Sequence, residues 1–153
     1  MYLIGIAKDY HNLKLTKANV VLGGYKFKAN YKVVAVSDGD VVLHAIANAI
    51  LGASQNGDIG MYFPDTDPKN KNLDSKKILN KALALASKKK CKIANVDLTI
   101  FCDKIMIDPI RKQITNNLKK LLKTNLVNVK ATRFEQNKSM IAAQAAVLLK
   151  KGK

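Results

Sequence analysis

Hydrophobic and polar positions along this chain alternate between the two-residue period of a strand and the 3.6-residue period of a helix. Tyr2 to Ala7 is a short apolar run leading into Asp9 and His11, which predicts a strand whose end carries polar groups. Val20-Val21-Leu22, Gly23-Gly24 and Tyr25-Lys26-Phe27 predict a hairpin, because a glycine pair adopts the positive φ angles of a tight turn. Asn30 to Ala35 then leads into the turn Ser37-Asp38-Gly39-Asp40.

From Asp40 to Ala53 nearly every residue is apolar, with Ser37, Asp38 and Asp40 available as amino-terminal caps and Gly52 as a terminator. This predicts a buried helix. Asp40, His44 and Asn48 follow at four-residue spacing, so they form one polar stripe that an apolar core cannot accept without partners. Gln55 to Asn72 is rich in Gly, Asp, Pro and Asn and reads as a long ordered loop, a length usually kept for function. Asp74 to Lys89 reads as an amphipathic helix capped by Asp74 or Ser75, and Asn95 to Phe101 as a half-buried strand. Pro109 to Thr124 predicts a helix, Val127 to Phe134 a strand, and the alanine-rich Met140 to Leu149 a final helix. Such interleaving indicates an α/β layered fold: a mixed sheet packed on one side by helices, one domain over residues 1–153.

Composition narrows the function. With 153 residues and 48% hydrophobic content, the chain can bury a sizeable core, and no apolar run is long enough to span a membrane. The start shows no targeting pattern, so a bacterial cytoplasm is expected, with a plastid-type organelle open if a transit peptide has been removed. Cys91 and Cys102 form neither a C-x-x-C pair nor a disulfide framework, which fits a reducing compartment. The net charge of +16 raises nucleic-acid binding as a reading. Against it, only Arg111 and Arg133 are arginine among 27 basic residues, and the lysines are spread along the chain. No nucleic-acid partner is expected.

The rare ionisable residues are the candidates for chemistry. The two histidines, His11 and His44, and the single glutamate, Glu135, mark a candidate active site. Asp9 and His11 stand two apart on a strand and project to the same side. With His44 they offer one carboxylate and two imidazoles, a set that suits zinc and leaves a fourth position open. Alone, an Asp-x-His pair is usually a solvated surface feature, and a lone His44 reads as a satisfied core histidine.

Leu22-Gly23-Gly24, Ser37-Asp38-Gly39-Asp40 through His44, Leu51-Gly52-Ala53, Gly57-Asp58-Ile59-Gly60, Phe63-Pro64-Asp65-Thr66-Asp67-Pro68, Asn95-Val96-Asp97 and Asn128 to Thr132 resemble the 2-C-methyl-D-erythritol 2,4-cyclodiphosphate synthase family, in its order and near its spacing. The resemblance spans essentially the whole chain. It implies a homotrimer with active sites between subunits, each holding zinc and a magnesium or manganese ion. The implied substrate is 4-diphosphocytidyl-2-C-methyl-D-erythritol 2-phosphate, a small diphosphate. Its 2-phosphate attacks the β-phosphorus and expels CMP to close a cyclic diphosphate. By the same resemblance Asp9, His11 and His44 match the zinc ligands and Glu135 the second cation's ligand. Ser37 matches a phosphate contact, Asp58 and Gly60 the methylerythritol-binding positions, Asp65 a position in the family's substrate loop, and Lys104, Ile105, Met106, Ala131 and Thr132 the cytidine pocket. No catalytic side chain beyond the metal ligands is implied.

Several positions depart from that family's pattern. Val36 stands where histidine is usual, Asn48 where aspartate is usual, Lys8 where an aromatic is usual, and Arg133 and Phe134 replace small hydroxyl residues. The segment between Glu135 and Met140 is short, and so is the one before Lys104. If Asn48 partners the His44 ring, its amide can still accept a hydrogen bond from it but lacks the charge that makes a metal-bound imidazole more basic. Two readings of Arg133 stand open, a phosphate contact or a surface side chain. Two readings of the whole stand open as well: an active cyclising lyase, or a non-catalytic homologue that keeps the metal and binds nucleotide or diphosphate.

Overall fold

A computed structural model describes all residues, 1–153. Five strands form one mixed sheet: β1 (Tyr2–Leu22), β2 (Tyr25–Val34), β3 (Cys91–Cys102), β4 (Val127–Thr132) and β5 (Met140–Lys151). Their order across the sheet is β2-β1-β5-β3-β4. Only β3 and β4 pair in parallel, and they flank the crossover through α3 (Arg111–Leu122). Helices α1 (Val41–Ala53) and α2 (Ser75–Lys88) complete the layer on the same face of the sheet. No helix is long and apolar enough to cross a membrane.

The sequence reading is corrected at two strands. Met140 to Leu149 is not a helix but the central strand β5, paired with β1 on one side and β3 on the other. Alanine's helix preference yields here to position. Ile141, Ala143, Ala145, Val147 and Leu149 are all fully buried at two-residue spacing, beneath the helices. The run beginning at Tyr2 does not stop near Ala7 but continues to Leu22 as one strand with a bulge between Leu15 and Ala18. Its first half pairs with β5 and its second half with β2, so the backbone stays satisfied through the polar stretch around Asp9.

Small side chains set how closely α1 lies on the sheet. A Cβ on Gly5 would meet the Ala49 carbonyl oxygen at 1.9 Å and the Ala53 Cβ at 3.0 Å. The odd-numbered residues of β1 near Gly5 therefore face α1, and Asp9 and His11 share that face. At the start of α1 the buried Asp40 carboxylate accepts N–H bonds from Gly23, Gly24 and Leu43. One side chain thus caps the helix and ties it to the β1–β2 turn, where Gly23 and Gly24 take φ of 60° and 76°. Burial pushes the Asp40 carboxyl up to about 6, against the pull of those three amides. The helix runs through Gly52, and the Ser54 hydroxyl donates back to the Ile50 carbonyl to close it.

Candidate metal centre and active site

Asp9 and His11 reach up from β1 and His44 reaches down from the first turns of α1. Their ligand atoms all lie within 4.8 Å of one another. Asp9 Oδ2 is 3.2 Å from His44 Nδ1 and 3.5 Å from His11 Nε2. The two rings meet edge to face with centroids 6.1 Å apart. Asp9 Oδ2 and His11 Nε2 are buried from solvent, yet neither has an aligned hydrogen-bond partner. These two orphaned atoms are costly, and with the His44 ring they make three donors of the right type converging on one point, which a tetrahedral cation would satisfy. The group therefore fits zinc by donor type and count.

Electrostatics divide the two histidines. Burial is the largest influence on His11 and draws its pKa down, with the Asp9 charge opposing. Burial also acts on His44, but the adjoining Asp9 carboxylate outweighs it and holds that ring's pKa above the ordinary value.

These residues open onto a cavity of about 260 Å³ whose walls include Val36, Ser37, Asn48, Gly60 and Asp65. Ser37 Oγ accepts the Gly39 N–H and so keeps its own hydrogen free for a ligand in the cavity. The Gln55–Asn72 segment forms the outer wall through two single turns, Ile59–Met61 and Pro68–Asn70. Asp58 is not among the lining residues; it is exposed, and its Oδ1 accepts the Met61 N–H. Contrary to the partnership raised from sequence, Asn48 makes no hydrogen bond with His44; its Oδ1 accepts the Ile59 N–H at 2.8 Å and pins the loop to α1. The partner of His44 is Ser75, whose Oγ lies 2.8 Å from Nε2. The two residues are 31 apart in sequence, and no local pattern joins them.

A second cavity, of about 170 Å³, lies elsewhere on the chain between β3, β4 and the start of α3. Ile105, Met106, Ala131, Thr132 and Arg133 line it, together with Arg111. Lys104 is not among the lining residues, and its Nζ donates to Asn137 Oδ1 instead. Glu135 is exposed, forms no ion pair, and adopts φ of 60° in the loop after β4. It is not part of the Asp9, His11 and His44 group within one chain. Asp103 holds its loop, accepting the N–H groups of Phe134, Glu135 and Lys138. Desolvation works against the charge on Asp103, but these amides prevail and hold its pKa below the ordinary value.

A mixed sheet with helices on one face and an Asp-x-His strand opposed by a helix histidine defines the class. The YgbB family model matches residues 2–150, and the chain belongs to that family. A 2-C-methyl-D-erythritol 2,4-cyclodiphosphate synthase of Mycoplasmoides gallisepticum is 49% identical over 151 residues, spanning 98% of this chain and 97% of the relative. A solved 2C-methyl-D-erythritol-2,4-cyclodiphosphate synthase structure matches with a TM-score of 0.89 at 33% identity, over 96% of this chain and 99% of its own. A Plasmodium falciparum IspF in complex with CDP matches at 0.85 and 32% identity, over 99% of this chain and 97% of that one. These relatives are synthases, and the non-catalytic alternative gains no support from them.

Proposed function

We propose that the chain converts 4-diphosphocytidyl-2-C-methyl-D-erythritol 2-phosphate into the 2,4-cyclic diphosphate and CMP, as a phosphorus-oxygen lyase. The observation that carries the reading is the convergence of Asp9, His11 and His44 with two buried ligand atoms unpartnered. It stands in a chain 49% identical to such a synthase over nearly its whole length.

Asp9, His11 and His44 would hold zinc. Bound there, the ion supplies Lewis-acid polarisation of a phosphoryl oxygen and offsets charge as two phosphates approach. The chain's own groups orient the substrate. Ser37 offers its hydroxyl hydrogen to a phosphate oxygen, and Asp58 and Asp65 offer carboxylate oxygens to the hydroxyls of the methylerythritol. The attacking 2-phosphate is already an anion, so no general base is needed. Glu135, with its carboxylate unpaired, would hold magnesium or manganese together with substrate oxygens, since such ions are bound through one or two carboxylates plus phosphate.

The cytidine half belongs to the cavity of Ile105, Met106, Ala131 and Thr132, and the Arg133 side chain in the same lining would offer its fork of donors to a phosphate. No residue lines both cavities. That separation supports a homotrimer in which one protomer's metal cavity meets its neighbour's nucleotide pocket. Tyr2, Ile4, Ile6 and Tyr10 support it too, being 60–67% exposed on the sheet face away from the helices. The test is CMP release by purified protein with magnesium present. Activity that disappears on chelation and returns with zinc upholds the assignment, and CMP release by an Asp9→Asn, His44→Ala double variant at the wild-type rate refutes it.

A further inference from the structure

The hydroxyl of Ser75 has one hydrogen and two neighbours that compete for it. Ser75 opens α2 and is fully buried. Its Oγ contacts His44 Nε2 at 2.8 Å and is hydrogen-bonded to Asp38 Oδ1. The Asp38 carboxylate also accepts the backbone N–H groups of Ser75, at 3.0 Å, and Asp40, at 3.1 Å. Three donors converge on it, as an acceptor-only carboxylate requires. The hydroxyl hydrogen therefore goes to Asp38, and the Ser75 oxygen presents a lone pair to His44. A ring nitrogen that faces a lone pair at 2.8 Å must carry the hydrogen. Ser37 Oγ lies at 3.4 Å from the same nitrogen and is too distant to compete.

We infer that Asp38 and Ser75 are a positioning pair that fixes the His44 proton on Nε2 and leaves Nδ1 as the nitrogen turned to the metal-binding point beside Asp9. This rests on the metal-site reading of Asp9, His11 and His44. Asp38 lies in the turn before α1 and Ser75 opens α2, and the segments that carry them are themselves joined, since Asp38 N–H donates to the Leu73 carbonyl and Asn72 N–H to that of Val36. Ring orientation is thus set by backbone-anchored groups rather than by side chains free to rotate. Metal-bound imidazoles are commonly held by a carboxylate or carbonyl on the far nitrogen, and removing that partner weakens metal binding about 10- to 100-fold. Here a serine is interposed between ring and carboxylate.

The experiment reads nitrogen-15 shifts of the His44 ring in labelled full-length protein, with zinc affinity measured by competition against a chromophoric chelator. In zinc-loaded wild type, Nε2 carries hydrogen and Nδ1 is the ligand; ligation through Nε2 overturns the inference. Ser75→Ala loses about 10- to 100-fold in zinc affinity with its melting curve still cooperative, and unchanged affinity overturns it. Asp38→Asn supplies a donor to the serine, turning its hydrogen toward the ring and destabilising Nε2–H; a His44 spectrum identical to wild type overturns it. Failure of wild type to take up zinc removes the metal reading itself. In that event the neutral ring, read above about pH 8, separates the two: hydrogen on Nε2 upholds the pair, and hydrogen on Nδ1 overturns it.

Discussion

The carbonyl oxygen of Ala49 lies 1.9 Å from the point that a Cβ on Gly5 would occupy, so α1 rests on β1 at a distance only glycine permits. That contact sets the height of His44 above Asp9. Gly5→Ala must lift the helix or shift the strand, at a cost of about 1–3 kcal/mol. Its melting temperature falls, and zinc affinity falls with it because Asp9 and His44 separate. A variant with unchanged melting temperature and affinity would show that the spacing is not fixed there.

Asn48 pins the Gln55–Asn72 loop through the Ile59 N–H, an acceptor role that a carboxylate also fills. Asn48→Ala leaves that amide unpartnered, loosens the Gln55–Asn72 wall, and raises KM for the substrate several-fold, with zinc stoichiometry unchanged. Asn48→Asp retains the acceptor and keeps KM within about twofold of wild type. Steady-state kinetics on both variants decide the point, since equal KM values for the two would exclude the anchoring role.

Asp103 gathers three backbone amides of the loop that carries Glu135. Asp103→Ala frees the loop, so the magnesium concentration for half-maximal rate rises several-fold while zinc affinity stays constant. A magnesium titration at saturating zinc measures this. An unaltered midpoint would detach Asp103 from the second cation.

Asp40 gives the fold a pH dependence whose sign follows from its raised pKa, about 6 in the folded chain against 3.8 for an unperturbed aspartate. The folded state binds the proton more tightly, so this group's contribution is complete below about pH 4 and is lost as pH rises through about 6. Asp40→Asn removes that dependence. It also turns an amide N–H₂ toward one of the three N–H donors, costing about 1–3 kcal/mol. Denaturant midpoints from about pH 4 to about pH 8 should show wild type converging on the variant as pH rises, and a constant gap between them would refute the assignment.

The layered fold and the shared face of Asp9 and His11 are legible in sequence because each rests on local spacing, whereas His44, on a different element, joins them only through the family resemblance. Asp40 caps α1 as its position predicts, and Asp74 caps α2. β5 was not legible. Its alanines favour helix in isolation, and only the seat between β1 and β3 under α1 selects strand. Ser75 was visible as a capping residue, but its contact with His44 depends on two segments meeting in space. Asp103 likewise acts on residues 31 to 35 positions away, beyond the reach of any periodicity. Asn48 shares the His44 stripe, which leaves a ring contact open on paper, yet one turn further along α1 it meets the loop instead.

The most direct test of the proposed reaction is phosphorus-31 NMR of 4-diphosphocytidyl-2-C-methyl-D-erythritol 2-phosphate incubated with the zinc-loaded protein and magnesium. Cyclisation shows as loss of the substrate resonances with matching growth of CMP and of two coupled phosphorus signals from the cyclic diphosphate. Intact substrate in the presence of bound zinc, or CMP formed with an open-chain phosphate product, would contradict it.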